Sequence, residues 1–206
     1  MISLFPSFLI GYAFGSIPTA LLVVQKARGI DVRTVGSGNV GAMNSYLVTR
    51  SALIGITVFL LDFLKGLAPV VITRMWLGAD LPVEGAAGVG AIVGHNFSIW
   101  LNGRGGRGIA TAAGAVLTIV PIVIPVWVLC WAIGFAFVRE INVSNAVACC
   151  LSPLLLIVLP DEIRNMWCES SVPTVPIIVF VAIVMAIILT KLVKPVHEFV
   201  HSQRRL

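Results

Sequence analysis

Residues Gly94 to Thr111 read GHNFSIWLNGRGGRGIAT, with Arg104 and Arg107 set among glycines just ahead of an apolar, helix-like run. Glycine lets backbone N–H groups turn toward a ligand and lets the chain approach it closely, while a following helix N-terminus adds partial positive charge. Arginine adds a full charge and a planar fork that matches phosphate oxygens. The pattern predicts a phosphate cradle in which backbone N–H groups around Gly105 and Gly106 hold oxygens. The competing reading of the same composition is a basic loop that only sets membrane orientation. His95 stands at the head of this segment, where an imidazole can act as a general base on an alcohol or as a hydrogen-bond donor. No carboxylate is evident beside it in the chain, which favours positioning over proton abstraction.

Three further polar constellations interrupt an otherwise apolar chain. Thr34 to Ser45, TVGSGNVGAMNS, alternates glycines with Ser37, Asn39 and Asn44. Small hydroxyl and amide groups supply neutral donors for phosphate or hydroxyl oxygens, although the same residues are ordinary in turns. Asp62 and Lys65, in LDFLKG, lie three residues apart inside an apolar run, so they share a helix face and neutralise each other. Ionisable groups in a span face the protein interior and point to function, with a structural ion pair as the equal alternative. Arg139 to Asn145, REINVSNA, brings Asn142, Ser144 and Asn145 behind a charged pair. No Ser-His-Asp or G-x-S-x-G pattern surrounds Ser144, and a helix N-cap is its strongest structural role.

The elements that must position these groups are membrane helices. Hydrophobic residues make up 58% of the 206 and charged residues 11%, too little polar surface for a water-soluble domain. Apolar runs cover Ser3 to Val24, Ala52 to Leu77, Gly85 to Trp100, Ile109 to Val138, Val143 to Leu159 and Thr174 to Leu192. They spread over the whole chain, so residues 1–206 are expected to form a single polytopic membrane domain without a linker. Basic residues gather at Lys26 to Arg50, Arg104 to Arg107, Arg139 and the C-terminal tail. Acidic ones gather at Asp80 and Glu84 and at Asp161, Glu162 and Glu169. Placing the basic segments in the cytoplasm requires the chain between Arg107 and Arg139 to cross twice, turning near Pro121 and Pro125. The expectation is an all-α integral membrane protein of about seven transmembrane helices, N-terminus outside and C-terminus cytoplasmic, with every glycine-rich polar segment on one face.

Other features add little chemistry. The first run lacks a basic n-region and contains Gly11, Gly15 and Pro18, so it reads as a retained span and not a signal peptide. Cys130, Cys149, Cys150 and Cys168 show no metal-ligand spacing and read as packing residues. No metal or cofactor is expected. The net charge of +5 is explained by membrane topology, so no nucleic-acid partner is expected.

Taken together, GSGNVGAMN at Gly36 to Asn44, DFLKG at Asp62 to Gly66, and GHNF with GRGGRGIAT across Gly94 to Thr111 resemble the bacterial acyl-phosphate:glycerol-3-phosphate acyltransferases, the PlsY family. GSIPTA at Gly15 to Ala20 is similar to that family's first span. The resemblance implies seven membrane helices in the bacterial cytoplasmic (inner) membrane. It also implies transfer of a fatty acyl group from acyl phosphate to the 1-hydroxyl of glycerol 3-phosphate, giving lysophosphatidic acid for phospholipid biosynthesis. The implied partners are these two substrates, membrane lipids, and functionally the soluble enzyme that makes acyl phosphate.

By resemblance, Ser37, His95 and Arg107 are the catalytic candidates, with Arg107 where the family usually carries lysine. Gly38, Asn39, Asn44, Arg50, Arg104, Gly105 and Gly106 are the substrate-binding candidates of the first two motifs. Asn142, Ser144 and Asn145 match the usually serine-rich third motif. Two departures stand out. Leu47 occupies the position of a family arginine, leaving Arg50 to supply the charge one turn later. The C-terminal KLVKPVHEFVHSQRRL places Pro195 near an expected Asn and moves the histidines to His197 and His201, so no catalytic role is assigned there. A transporter of phosphate or organic anions would use similar groups, and Asp62 with Lys65 favours it. The absence of an inverted repeat and the collection of polar segments at one face argue against it.

Overall fold

Pro18 breaks the first apolar run into two helices and frees backbone carbonyls that the rest of the fold must satisfy. A computed structural model describes residues 3–78, 80–165 and 173–203. Cys168 and Glu169, and Arg204 and Arg205 of the tail, lie outside the described residues. Helix α1 spans Leu4–Ser16 and α2 Thr19–Arg28. Proline lacks the N–H that would continue the ladder, and it pushes the preceding residue to extended backbone, as the ψ of 121° at Ile17 shows.

Among the described residues every regular element is helical. After α2 come α3 (Ala42–Thr49), α4 (Ala52–Leu77), α5 (Leu81–Asn96), a 3-10 turn (Ile99–Leu101) and α6 (Ile109–Ile119). The remainder is α7 (Val123–Val138), α8 (Ile141–Val158), α9 (Asp161–Asn165) and α10 (Thr174–Gln203). The chain divides into two compact units, residues 1–118 and 119–206. Leu4–Arg28, Ala52–Leu77, Ile141–Val158 and Thr174–Gln203 are long and apolar enough to cross a membrane, and α6 and α7 are shorter apolar helices. The protein is an integral, multi-pass membrane protein.

In the first unit, helices meet backbone to backbone along glycines. On α1, a Cβ at Gly11 or Gly15 would overlap the carbonyl oxygens of Ala87 and Ala91 of α5. In return Gly90 and Gly94 of α5 face the carbonyls of Phe8 and Tyr12. Gly66 of α4 lies against the Thr111 carbonyl, and Gly114 of α6 against that of Phe63. Small residues that admit such approach are how apolar helices associate where no hydrophobic force distinguishes partner from lipid. A second device fixes the glycine-rich loop after α2. Val32 and Val40, at its two ends, are buried with Ala20, Val24, Ile54, Val58 and Leu101. Burying each valine contributes roughly 1.5–3 kcal/mol, which anchors the loop while Arg33 to Ser37 between them stay exposed.

In the second unit, α7 and α8 form a hairpin turned at Arg139, which takes the left-handed conformation (φ 53°). Gly134 admits Val147 at the contact. Helix α10 packs on α8 through a stripe of Ile177, Val181, Val184, Ile188 and Leu192, spaced three and four apart. Arg164 of α9 donates to the carbonyls of Leu156 (2.7 Å) and Leu159 (3.2 Å), capping the end of α8.

Several sequence expectations change. The run Ile109–Val138 does divide at Pro121, but Pro125 lies in the first turn of α7, where proline is tolerated. Asn44 and Ser45 are helical, in α3, which the glycine-rich pattern concealed. Helix α5 begins at Leu81 and ends at Asn96, so Glu84 is a helical residue and not part of an acidic loop. It pairs with Arg74 of α4 through two contacts of 2.7 and 2.9 Å. Ser144 is not the N-cap of α8. Glu140 is, accepting from the Val143 N–H at 2.6 Å, and the Ser144 hydroxyl bonds back to the Glu140 carbonyl at 2.7 Å. Helix α10 runs on past Leu192 through Pro195 to Gln203 and brings the exposed rings of His197 and His201 together, centroids 4.2 Å apart and tilted by 56°.

The backbone contact at Gly66 predicts that Gly66→Val costs about 1–3 kcal/mol through overpacking. Thermal unfolding in detergent checks this, with Leu64→Val, at a half-exposed neighbouring position, leaving the midpoint nearly unchanged.

Candidate active site

Five segments of the first unit converge on one buried polar cluster. Asp62 and Lys65 come from the middle of α4, His95 from the last turn of α5, Thr19 from the start of α2 and Thr111 from the first turn of α6. The α1–α2 break supplies the Ile17 carbonyl. Asp62 is 2% exposed, and Lys65 and His95 6% each, so none of these groups is solvated from outside. Lys65 Nζ lies 2.9 Å from Asp62 Oδ1 and 2.8 Å from the Ile17 carbonyl oxygen. It is also 3.2 Å from His95 Nδ1. The Thr19 hydroxyl donates to the same Asp62 oxygen. Thr111 Oγ1 is 3.2 Å from His95 Nδ1. A buried ion pair persists only when its remaining donors and acceptors are satisfied in this way.

The imidazole has two sides. Nδ1 faces this cluster, and Asp62 Oδ1 stands 3.7 Å from it. That corrects the expectation that no carboxylate neighbours His95: the partner is 33 positions away in the chain and is brought close by the packing of α4 on α5. Nε2 faces the GRGGRG loop, where a Cβ on Gly106 would overlap it. The same Cβ would come within 2.6 Å of the Val40 carbonyl oxygen, so the two glycine-rich loops and His95 meet at Gly106.

The glycines of the second loop are required for this close approach. Gly105 lies against the His95 carbonyl, and Gly108, at φ +79°, against the Asn96 side chain. The expected cradle is corrected in one respect. The Gly105 N–H donates to the Asn96 carbonyl (3.2 Å) and the Gly106 N–H to that of His95 (3.1 Å), so these groups close the loop onto the end of α5. A helix end leaves its last carbonyls unpaired, and the loop satisfies them. Side chains, and not these two N–H groups, are left to meet a ligand.

Both loops line a cleft of about 460 Å³, within the range of small-molecule sites. Its walls are Asp31, Arg33, Thr34 and Gly38 from one loop and Leu101, Asn102 and Arg104 from the other. Arg33 forks onto Asp31 with contacts of 2.9 and 2.7 Å, and its own N–H donates to the same carboxylate at 3.0 Å. Those bonds from Arg33 hold the Asp31 carboxyl down at about 2, so the pair stays ionised throughout the neutral range. Asn44 is 2% exposed and spends its amide on the loop. It accepts from the Ser37 N–H (2.9 Å) and donates to the carbonyls of Val32 (3.0 Å) and Val35 (3.2 Å).

Residues 5–200 match the family model described as glycerol-3-phosphate acyltransferase. The chain belongs to the glycerol-3-phosphate acyltransferase family. It is 40% identical over 151 residues, 73% of this chain and 76% of the relative, to glycerol-3-phosphate acyltransferase 2 of Moorella thermoacetica. It is 42% identical over 142 residues, 68% and 72% of the two chains, to the glycerol-3-phosphate acyltransferase of Myxococcus xanthus. Among solved structures it is similar to PlsY (YgiH), an integral membrane glycerol 3-phosphate acyltransferase, in its glycerol 3-phosphate form. The TM-score there is 0.78 and the identity 27%, covering 97% of this chain and 93% of that one. The lysophosphatidic acid form gives 0.77 at the same identity and coverage.

In this acyltransferase the first two motifs come together, and the residues divide by role. Ser37 is exposed and Asn39 half-buried on either side of Gly38, which takes φ +68°. Arg104 is exposed in the cleft, and Arg107 is half-buried between Gly106 and Gly108. Asn44, expected to bind substrate, has its amide buried and bonded to the backbone of the first loop. Arg50 is exposed at the end of α3 in the left-handed conformation (φ 52°), outside the lining of the cleft. Asn142, Ser144 and Asn145 belong to the second unit, in the first turns of α8. Sequence reasoning missed Asp31, Arg33, Thr34 and Asn102 as cleft residues and Thr19 and Thr111 as members of the buried cluster. Thr19 lies inside GSIPTA, Thr34 opens TVGSGNVGAMNS, and Asn102 and Thr111 fall within the Gly94 to Thr111 segment, whereas Asp31 and Arg33 lie outside every motif.

Two outcomes follow from this geometry. Gly106→Ala is expected to lower turnover at least tenfold while the protein remains folded, because the methyl displaces His95 from the loop. Asn44→Ala is expected to cost about 1–3 kcal/mol of stability, since it leaves buried backbone groups unpaired. Detergent melting curves beside initial rates separate the two.

Proposed function

We propose that this chain transfers a fatty acyl group from acyl phosphate to the 1-hydroxyl of glycerol 3-phosphate, forming lysophosphatidic acid and inorganic phosphate. The observation that carries the reading is the meeting of two glycine-rich loops at Gly106, against His95, with a cleft lined by the same two loops that presents Arg104 and the Arg33–Asp31 pair. Family membership, and the substrate and product forms in which the similar PlsY was solved, support it.

The hydroxyl oxygen bonds to the acyl carbonyl carbon, the bond from that carbon to the phosphate oxygen breaks, and phosphate leaves with the electron pair. The hydroxyl proton passes to an acceptor at the site. Acyl phosphate is a mixed anhydride with a good leaving group, so orientation and charge stabilisation carry much of the acceleration. Arg104 and Arg107 hold phosphate oxygens, with Ser37, Gly38, Asn39, Gly105 and Gly106 shaping the site and His95 positioning a reacting oxygen. Arg50 supplies charge at the approach. Asn142, Ser144 and Asn145 are assigned to substrate on the resemblance. The two units act as one acyltransferase domain, a reading supported by a family match that runs through both. Basic and acidic segments support seven crossings of the bacterial inner membrane with the N-terminus outside and the C-terminus cytoplasmic, the side from which a soluble enzyme would deliver acyl phosphate.

Purified protein given palmitoyl phosphate and glycerol 3-phosphate should form lysophosphatidic acid, and acyl-CoA should not replace the donor. Folded protein that makes no product, or that moves anions across proteoliposomes instead, overturns the assignment. Arg107→Ala should lower kcat/KM by about 10–100-fold, the equivalent of losing a charge-assisted contact of about 1.5–3 kcal/mol. Unchanged kinetics would remove Arg107 from the phosphate site.

A further inference from the structure

Lys65 is wedged between a carboxylate and an imidazole. A lysine ammonium donates three protons and accepts none. Lys65 has three acceptors within 3.2 Å: Asp62 Oδ1, the Ile17 carbonyl oxygen and His95 Nδ1. Each proton thus has one partner, and the third partner is the lone pair on Nδ1. A proton on Nδ1 would face the ammonium donor against donor at 3.2 Å. Asp62 Oδ1, at 3.7 Å, is too far from Nδ1 to accept that proton and is already engaged by Lys65 and Thr19. Thr111 Oγ1, also 3.2 Å from Nδ1, is compatible as a second donor to the same lone pair.

We propose that Lys65, held in place by Asp62, Thr19 and the Ile17 carbonyl, is a positioning residue that locks His95 as the tautomer protonated on Nε2. His95 then offers a hydrogen-bond donor on the side of the ring that faces Gly106. The inference rests on the assignment of His95 to the acyl-transfer site, and it specifies which chemistry the ring performs there. An Asp-His pair in direct contact would protonate Nδ1 and leave a lone pair on Nε2, the arrangement of a general base. Here the lysine occupies the space between the two, so Asp62 orients Lys65 and Lys65 orients the ring. The ring serves an oxygen of substrate as a donor and removes no proton from it.

The test is nitrogen NMR of the full-length protein in detergent, labelled on histidine. The chain has three histidines, and His197→Gln with His201→Gln leaves only the ring of His95 visible. Nδ1 should resonate as the unprotonated nitrogen and Nε2 as the protonated one; the reverse pattern, or a doubly protonated ring, overturns the proposal. This arm needs neither substrate nor a change in the cluster, so it stands apart from the acyl phosphate assay: lack of turnover with the expected tautomer sinks the activity alone. Lys65→Met, close in length and uncharged, should let Nδ1 take a proton shared with Asp62. It should also lower kcat on the order of 100-fold, the loss typical of one preorganised donor, with little change in KM for glycerol 3-phosphate. A folded Lys65→Met protein with the original tautomer refutes the lock, and so does one whose only change is a lower melting temperature.

Discussion

The first unit depends on satisfying one buried ammonium. Removing a lysine from water costs several kcal/mol unless every proton finds an acceptor and the charge finds a counter-ion. Lys65 meets that condition by drawing on three elements: Asp62 from its own helix, His95 from α5 and the Ile17 carbonyl at the α1–α2 break. The break is therefore part of the site. Pro18 stops the first helix at the depth where its carbonyls can be used, with Ile17 serving Lys65 and Ser16 accepting from the Ser98 hydroxyl at 2.6 Å. The Ile17 carbonyl accepts from the Thr19 N–H (2.9 Å) with one lone pair and from Lys65 with the other.

Glycine serves approach more than flexibility in this chain. It lets the backbones of α1 and α5, and those of α4 and α6, touch, and polar side chains from α4, α5 and α6 meet in the cluster between them. In the GRGGRG loop it lets the chain fold back onto the end of α5, where the N–H groups of Gly106 and Gly105 satisfy the helix-end carbonyls of His95 and Asn96. The loop is held for a physical reason: the N–H groups of Gly105 and Gly106 are bonded to the end of α5. A charged ligand then meets arginine side chains held at the rim of a fixed backbone, and preorganisation of that kind is what electrostatic catalysis requires.

Much of the architecture was legible because membrane helices write themselves in composition. Ala52–Leu77 is bounded in the structure where its apolar run begins and ends, and the run after Ile109 divides at Pro121. Boundaries failed where local pattern and tertiary role diverge. Glu84 looks like an outward loop charge until Arg74 is found beside it. The helix of α3 was hidden because Gly, Ser and Asn suggest a turn, whereas Asn44 uses its amide to hold the turn that precedes it. Arg33 and Asp31 gave no warning of lining a cleft, since two charged residues in a polar segment read as solvated surface.

The sequence by itself determined that this is a polytopic membrane protein, that its polar chemistry is concentrated in a few glycine-rich segments, and that those segments resemble an acyltransferase family. Hydropathy, helix breaking by proline and motif order are local properties, written in adjacent residues. Only the tertiary structure decided which groups face each other: that Asp62 stands near His95 with Lys65 between them, that Gly106 is the meeting point of two loops, and that the glycine N–H groups are bonded to α5. Those relations join residues from about ten to more than sixty positions apart. They arise from close backbone contact along glycines and from the need to match every proton of a charge removed from water, and neither can be read from spacing along the chain.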